Sequence, residues 1–113
     1  MSATTPRPGQ AVRGSRSGRP IMVALDLLGR RGALTVLWSL RDGPATFRKL
    51  QELADGMAAS TLNTRLRELR DVGLIERSDG GYRLAVDGRA LLDAGEPLLD
   101  WAHEWALRLP RSD

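Results

Sequence analysis

Residues 46–84 read Thr46-Phe47-Arg48-Lys49-Leu50-Gln51-Glu52-Leu53-Ala54-Asp55-Gly56-Met57-Ala58-Ala59-Ser60-Thr61-Leu62-Asn63-Thr64-Arg65-Leu66-Arg67-Glu68-Leu69-Arg70-Asp71-Val72-Gly73-Leu74-Ile75-Glu76-Arg77-Ser78-Asp79-Gly80-Gly81-Tyr82-Arg83-Leu84. Leu62, Leu66 and Leu69 recur four and three residues apart, the apolar stripe of an amphipathic helix over about Ala58 to Val72. Upstream, Thr46-Phe47 is extended, and Arg48 to Ala54 forms a short helix carrying Leu50 and Leu53. Asp55-Gly56 separates the two helices. Gly73 ends the longer one. Leu74 to Ser78, Asp79-Gly80-Gly81 and Tyr82 to Leu84 then read as strand, tight turn and strand.

The flanks extend this pattern. Pro20 suits a first helical position, and Val23, Leu25, Leu27 and Leu28 make a short apolar helix that ends near Gly29. A second helix is expected from Arg31 to Arg41, with Leu34, Leu37, Trp38 and Leu40 on its buried side. Asp42-Gly43-Pro44 stops it. After the hairpin, Asp87 can open a last helix that continues to about Leu109. The expected fold is mainly α with a small β-hairpin: a winged helix-turn-helix with a C-terminal dimerisation helix.

The chain has 113 residues, enough for one small domain. With aromatics at only 4%, the core must be mostly Leu, Val and Ala. There is no cysteine, which excludes disulfides, thiolate metal sites and thiol redox sensing. His103 has no partners for a zinc site and reads as a solvated or packed side chain. No apolar run has membrane-spanning length and no secretory signal opens the chain, so a cytoplasmic protein without membrane partners is expected. Glu96, Asp100 and Glu104 recur every four residues, but with no cleft or partner base they read as a solvated helix face. The glycine pairs lack the strand-then-helix setting of a phosphate loop. No nucleophile and base are arranged for catalysis, and neither an enzyme, a metal nor a cofactor is expected.

Charge is unevenly distributed. Residues 1–20 hold Arg7, Arg13, Arg16 and Arg19 with no acid, and eleven of the twenty are Gly, Pro, Ser or Thr. Residues 1–19 are therefore expected to form a disordered basic tail, either inert or following phosphates, ahead of a domain over 20–109. Residues 30–70 carry eight basic and four acidic side chains, whereas residues 71–113 carry five basic and nine acidic. A basic front and an acidic back suggest an anion-binding face separate from a second functional surface.

Double-stranded DNA is the expected anion. With the leucines of the longer helix inward, Ser60, Thr64, Arg67 and Asp71 turn outward, and Thr61 and Asn63 lie toward the flanks near the amino end. That end enters the major groove in helix-turn-helix proteins, where Asn pairs with adenine and Arg with guanine. Arg65 and Arg70 crowd the same helix, with Arg70 equally placed to pair with a neighbouring acid. Arg48 and Lys49 oppose the macrodipole at the start of the preceding helix, a position that a phosphate would favour. Arg77 and Arg83 lie on the hairpin. The candidate DNA-binding set is thus Arg48, Lys49, Ser60, Thr61, Asn63, Thr64, Arg65, Arg67, Arg77 and Arg83; the bland reading is a solvated face.

Several stretches together resemble the HxlR-type transcriptional regulators. These are Leu25-Asp26-Leu27-Leu28-Gly29, Leu37-Trp38-Ser39-Leu40-Arg41-Asp42-Gly43-Pro44, Phe47-Arg48-Lys49-Leu50, and Leu66-Arg67-Glu68-Leu69 followed by Gly73-Leu74-Ile75-Glu76-Arg77. The resemblance covers about Arg19 to Trp105 and implies a small dimeric bacterial DNA-binding protein, repressor or activator, with a possible small-molecule effector. The departures are specific. Arg19 stands where the family usually has a cysteine, Gly32 where a tryptophan is common, and Ala58 where a serine usually caps the recognition helix. The wing is cut to Asp79-Gly80-Gly81, so flanking minor-groove sequence should go largely unread.

In the last helix, Leu91, Gly95, Leu98, Ala102, Trp105 and Leu109 recur at spacings of four and three, the seam of a packed helix pair, which Trp101 could widen. A second copy of the chain is the expected occupant; the alternative is that the helix folds back on its own domain. Gly95-Glu96-Pro97 is expected to kink or restart it. Trp38, Trp101 and Trp105 could line an effector pocket near this seam. A homodimeric sequence-specific regulator is the leading reading. A winged-helix protein-interaction module without specific DNA binding is the alternative, favoured by the short wing and the nearly neutral body.

Overall fold

The computed structural model describes residues 19–110, so the expected tail over 1–19 falls almost wholly outside the described residues. Five helices and one hairpin follow in the order α1 (Pro20–Leu28), α2 (Ala33–Ser39), α3 (Phe47–Leu53), α4 (Ala59–Asp71), β1 (Ile75–Ser78), β2 (Gly81–Leu84) and α5 (Val86–Arg108). The fold is mostly helical with a two-stranded antiparallel hairpin, in which Ile75 faces Leu84 and Ser78 faces Gly81. One core joins the elements through Leu27, Val36, Leu37, Leu40, Leu50, Leu62, Leu66, Leu69, Ile75 and Tyr82. Burying such aliphatic side chains contributes about 1.5–3 kcal/mol each, so leucine periodicity dominates the fold.

Local chemistry sets the boundaries. Pro20 occupies the first turn of α1, where its missing N–H costs nothing. Thr46 caps α3, its hydroxyl accepting from the Lys49 amide at 3.1 Å. Just before it, Ala45 pairs with Tyr82 as an isolated antiparallel bridge, so the extended segment lies one residue earlier than expected and Phe47 already belongs to α3. This bridge ties the start of the helix-turn-helix to the hairpin.

Four expectations need correction. The second helix starts at Ala33 instead of Arg31, because Gly32 is its N-cap in the left-handed region at φ 84°. Its buried residues are Ala33, Val36 and Leu37, followed by Leu40, whereas Leu34 and Trp38 are exposed. Those two lie four residues apart on the other side of a seven-residue helix, and Arg41 stacks over the Trp38 ring at 4.3 Å. Asp87 lies in the first turn of α5, where its charge suits the dipole, but Ala85 is the N-cap and no side chain caps it. Pro97 does not restart the helix: α5 runs through it for 23 residues.

Candidate nucleic-acid interface

The fourth helix is oriented by what it buries. Leu62, Leu66 and Leu69 enter the core, together with a carboxylate, Glu68. Ser60, Asn63, Arg67 and Arg70 are exposed. Spaced three, four and three apart, they form one outward stripe along the helix. Thr61, Thr64 and Arg65 are half-buried on the flank that also carries Glu68. Thr64 donates its hydroxyl hydrogen to the Ser60 carbonyl at 3.0 Å, which leaves its oxygen free to accept only. Asp71 is exposed at the far end of the helix.

The amino end of α4 follows the departure seen in the sequence. Ala58 is the N-cap and no side chain accepts from the first amides. Those N–H groups therefore project from the end of a 13-residue helix whose dipole is positive there. On α3, Arg48 and Lys49 are exposed, and Arg48 makes only a long contact of 3.8 Å with Glu52. An ion pair this exposed holds a side chain weakly and yields readily to a phosphate.

The arginines of the expected set differ in freedom. Arg65 donates from Nη1 to Glu68 Oε1 at 2.6 Å and from Nε to the Arg31 carbonyl at 2.7 Å. Arg83 lies across the hairpin against Glu76, donating twice to the same carboxylate oxygen at 2.9 and 2.7 Å. Arg77 stands over the Tyr82 ring at 5.2 Å. Arg67 is exposed on the polar stripe. Arg70 shares that stripe but lies outside the expected set; the spacing Ser60-Asn63-Arg67-Arg70 is the signal that includes it.

The distal half of α5 is exposed along most of its length. Leu91 packs against the core and Gly95 and Ala102 are half-buried, but Leu98, Trp101, Trp105 and Leu109 are 62, 51, 46 and 47% exposed. The helix thus does not fold its distal half back onto the domain. Trp101 and Trp105 stack on each other with ring centroids 5.4 Å apart. Ile21 and Leu25 of α1 are also exposed. An apolar hollow lies between α1 and the start of α5, lined by Pro20, Val23, Ala24, Leu27, Leu28, Val72, Leu74 and Leu91. None of the tryptophans expected around an effector pocket lines it. Among the described residues no helix is long and apolar enough to cross a membrane, and no three His, Cys, Asp or Glu side chains are grouped to hold a metal ion.

Comparison with known proteins places this arrangement. Residues 24–104 match the family described as the HVO_A0261 N-terminal domain. An uncharacterized HTH-type transcriptional regulator of Methanocaldococcus jannaschii, MJ0925, is 29% identical over 83 residues, covering 70% of this chain and 78% of that protein. Another, Rv3095 of Mycobacterium tuberculosis, is 36% identical over 103 residues, covering 85% of this chain and 63% of that protein. The crystal structure of quinone-bound YodB from B. subtilis superposes with a TM-score of 0.70 at 30% identity, covering 74% of this chain and 96% of that one. A transcriptional regulator of the MarR family from Enterococcus faecalis superposes with a TM-score of 0.72 at 28% identity, covering 78% of this chain and 86% of that one. The chain belongs to the HVO_A0261 N-terminal domain family, among the DNA-binding transcriptional regulators of winged helix-turn-helix fold.

Proposed function

We propose that the protein acts as a homodimer of the HxlR type, reading a two-fold operator with α4 in the major groove and pairing through α5. The observation that supports it most is the outward stripe of α4, Ser60, Asn63, Arg67 and Arg70, beside an amino end that no side chain caps. Short polar groups near that end let the backbone approach base edges, while the arginines extend toward guanine or phosphate. Arg48 and Lys49 on α3 supply further phosphate contacts. The hairpin contributes less than α4, since its turn is short and Arg83 is shared with Glu76.

Pairing through α5 is supported by exposed Leu98, Trp101, Trp105 and Leu109, which a lone domain leaves in water at a cost. A two-fold dimer places two α4 helices about 34–36 Å apart, one turn of DNA. The relative YodB is described as quinone-bound; in this chain, which has no cysteine, the apolar hollow beside α1 suits a small apolar effector held without a thiol adduct. A cytoplasmic location follows from this role.

Selection of bound duplexes from a random DNA pool tests the reading. A two-fold symmetric sequence with half-sites one turn apart is the expected result. If the full-length chain enriches no sequence at moderate salt, the regulator reading fails and the protein-interaction module takes its place.

A further inference from the structure

The inner flank of α4 buries a charge. The Glu68 side chain is 1% exposed and holds two guanidinium groups, one on each oxygen. Arg30, from the turn between α1 and α2, donates from Nη1 to Oε2. Arg65, one turn back on α4, donates from Nη1 to Oε1 at 2.6 Å. Arg30 extends its other amino group to Asp26 of α1 at 3.2 Å, a carboxylate whose side chain is 5% exposed. Arg65 closes the far side on the Arg31 carbonyl, 34 residues away in sequence. Directional bonds thus connect α1, the α1–α2 turn and the recognition helix.

A network of this kind is a poor way to gain stability. Desolvating paired charges cancels much of their attraction, and apolar side chains of similar volume often hold a core equally well. The Nε of Arg30 is even buried without an acceptor among the described residues, a cost that an aliphatic side chain would not incur. Leucine packing, being non-directional, fixes the height of α4 but tolerates small rotations about its axis. Hydrogen bonds to the two oxygens of Glu68 do not. Even a small rotation about the α4 axis swings Ser60, Asn63 and Arg67 together, because all three project from one face of the helix.

We propose that Arg30 and Glu68 are positioning residues for DNA recognition: they fix the rotation of α4 that presents Ser60, Asn63 and Arg67 to base edges, and Arg65 serves this network instead of a phosphate. The proposal rests on the regulator reading above. Arg30 is specific to the task because its planar fork reaches two carboxylates at once. A lysine keeps the charge but not the fork.

The test uses the full-length chain and one duplex selected by the wild type from a random pool, with a scrambled duplex of the same composition. Affinities for both are measured across a salt series, well below each variant's melting temperature. In Arg30→Lys the ratio of selected to scrambled affinity should fall on the order of tenfold, the scale of one mismatched base pair, with the salt slope unchanged. Arg30→Met/Glu68→Met removes both charges of this pair, at the cost of one partner each for Asp26 and Arg65; it should fold with a lowered melting temperature and lose preference in the same way. Arg65→Gln should leave the salt slope at its wild-type value. A role confined to stability would lower the melting temperature and keep the ratio, and that result in either folded Arg30 variant overturns the proposal. A salt slope lowered by about one in Arg65→Gln overturns it too, because Arg65 would then lie on a phosphate. If the wild type selects no sequence, the regulator reading falls first and the positioning role with it.

Discussion

Gly88, in the first turns of α5, lets the helix rest on the backbone of the β1 approach. A Cβ at this buried position would run into the carbonyl oxygen of Leu74 and meet Leu84 Cδ2 at 3.1 Å. Backbone cannot give way as a flexible side chain can, so Gly88→Ala should destabilise the fold by about 1–3 kcal/mol, the usual cost of overpacking. Urea unfolding followed by circular dichroism measures it; an unchanged midpoint would mean that α5 slides freely over Leu74. On the DNA side, the same scale separates affinity from preference. Arg48 is almost fully exposed, so Arg48→Ala should weaken binding to every sequence about equally and reduce the salt slope by roughly one. Thr64→Ala should leave the slope alone. Since its hydroxyl hydrogen already goes to the Ser60 carbonyl, any loss of preference must come from an acceptor role at one base position, on the order of 1 kcal/mol. Quantitative binding of both variants to a panel of single-base operator changes distinguishes the two outcomes.

At the scale of elements, legibility depends on how local the determinants are. The α4 stripe and the hairpin are readable because leucines at spacings of four and three, and Asp79-Gly80-Gly81, fix their own geometry. The rotation of α2 is not: seven residues make barely two turns, and Leu34 with Trp38 offer an apolar pair as good as the one that is buried. Nothing local identifies Gly32 as left-handed, and Arg65 three residues before Glu68 reads as an ordinary surface pair; what marks Glu68 as buried is its second partner Arg30, 38 residues away. The continuity of α5 through Pro97 is also hidden, because a proline removes one helical donor without deciding whether the flanks stay aligned. That continuity bears on pairing. With α5 as one helix, Leu98, Trp101 and Trp105 continue the stripe begun by Leu91, and Trp101 stacks on Trp105 at its exposed centre. Trp105→Glu places a charge in the proposed seam and should convert the proposed dimer to a monomer that remains folded, since the residue is 46% exposed in the single chain. Light scattering showing an intact dimer would remove α5 from the interface.

Over the whole molecule, the charge that DNA meets divides into parts with different roles. Residues 21–113 carry a net charge of −1, while the first twenty residues hold four arginines and no acid. Of the arginines inside the fold, Arg65 and Arg83 are tied to Glu68 and Glu76. On the proposed reading, attraction to DNA draws on the remaining cations, among them exposed Arg48, Lys49, Arg67 and Arg70 on α3 and α4, and on the amino-terminal arginines. Deleting residues 1–18 removes Arg7, Arg13 and Arg16 but keeps Arg19, whose carbonyl accepts the Val23 amide at 3.0 Å and so begins α1. Every phosphate that a cation ceases to neutralise lowers the salt slope by about 0.9, so removing a tail that follows the backbone should take roughly two to three from the slope per chain. Preference among sequences should be unchanged, because charge on phosphate carries no base information. The measurement is the affinity of the full and shortened chains for a selected and a scrambled duplex over a salt series. Equal weakening on both duplexes with a flatter slope assigns the tail to non-specific affinity. An unchanged slope makes it inert, and weakening confined to the selected duplex would mean that the tail reads sequence, most simply as an arm in the minor groove that the short wing leaves unread.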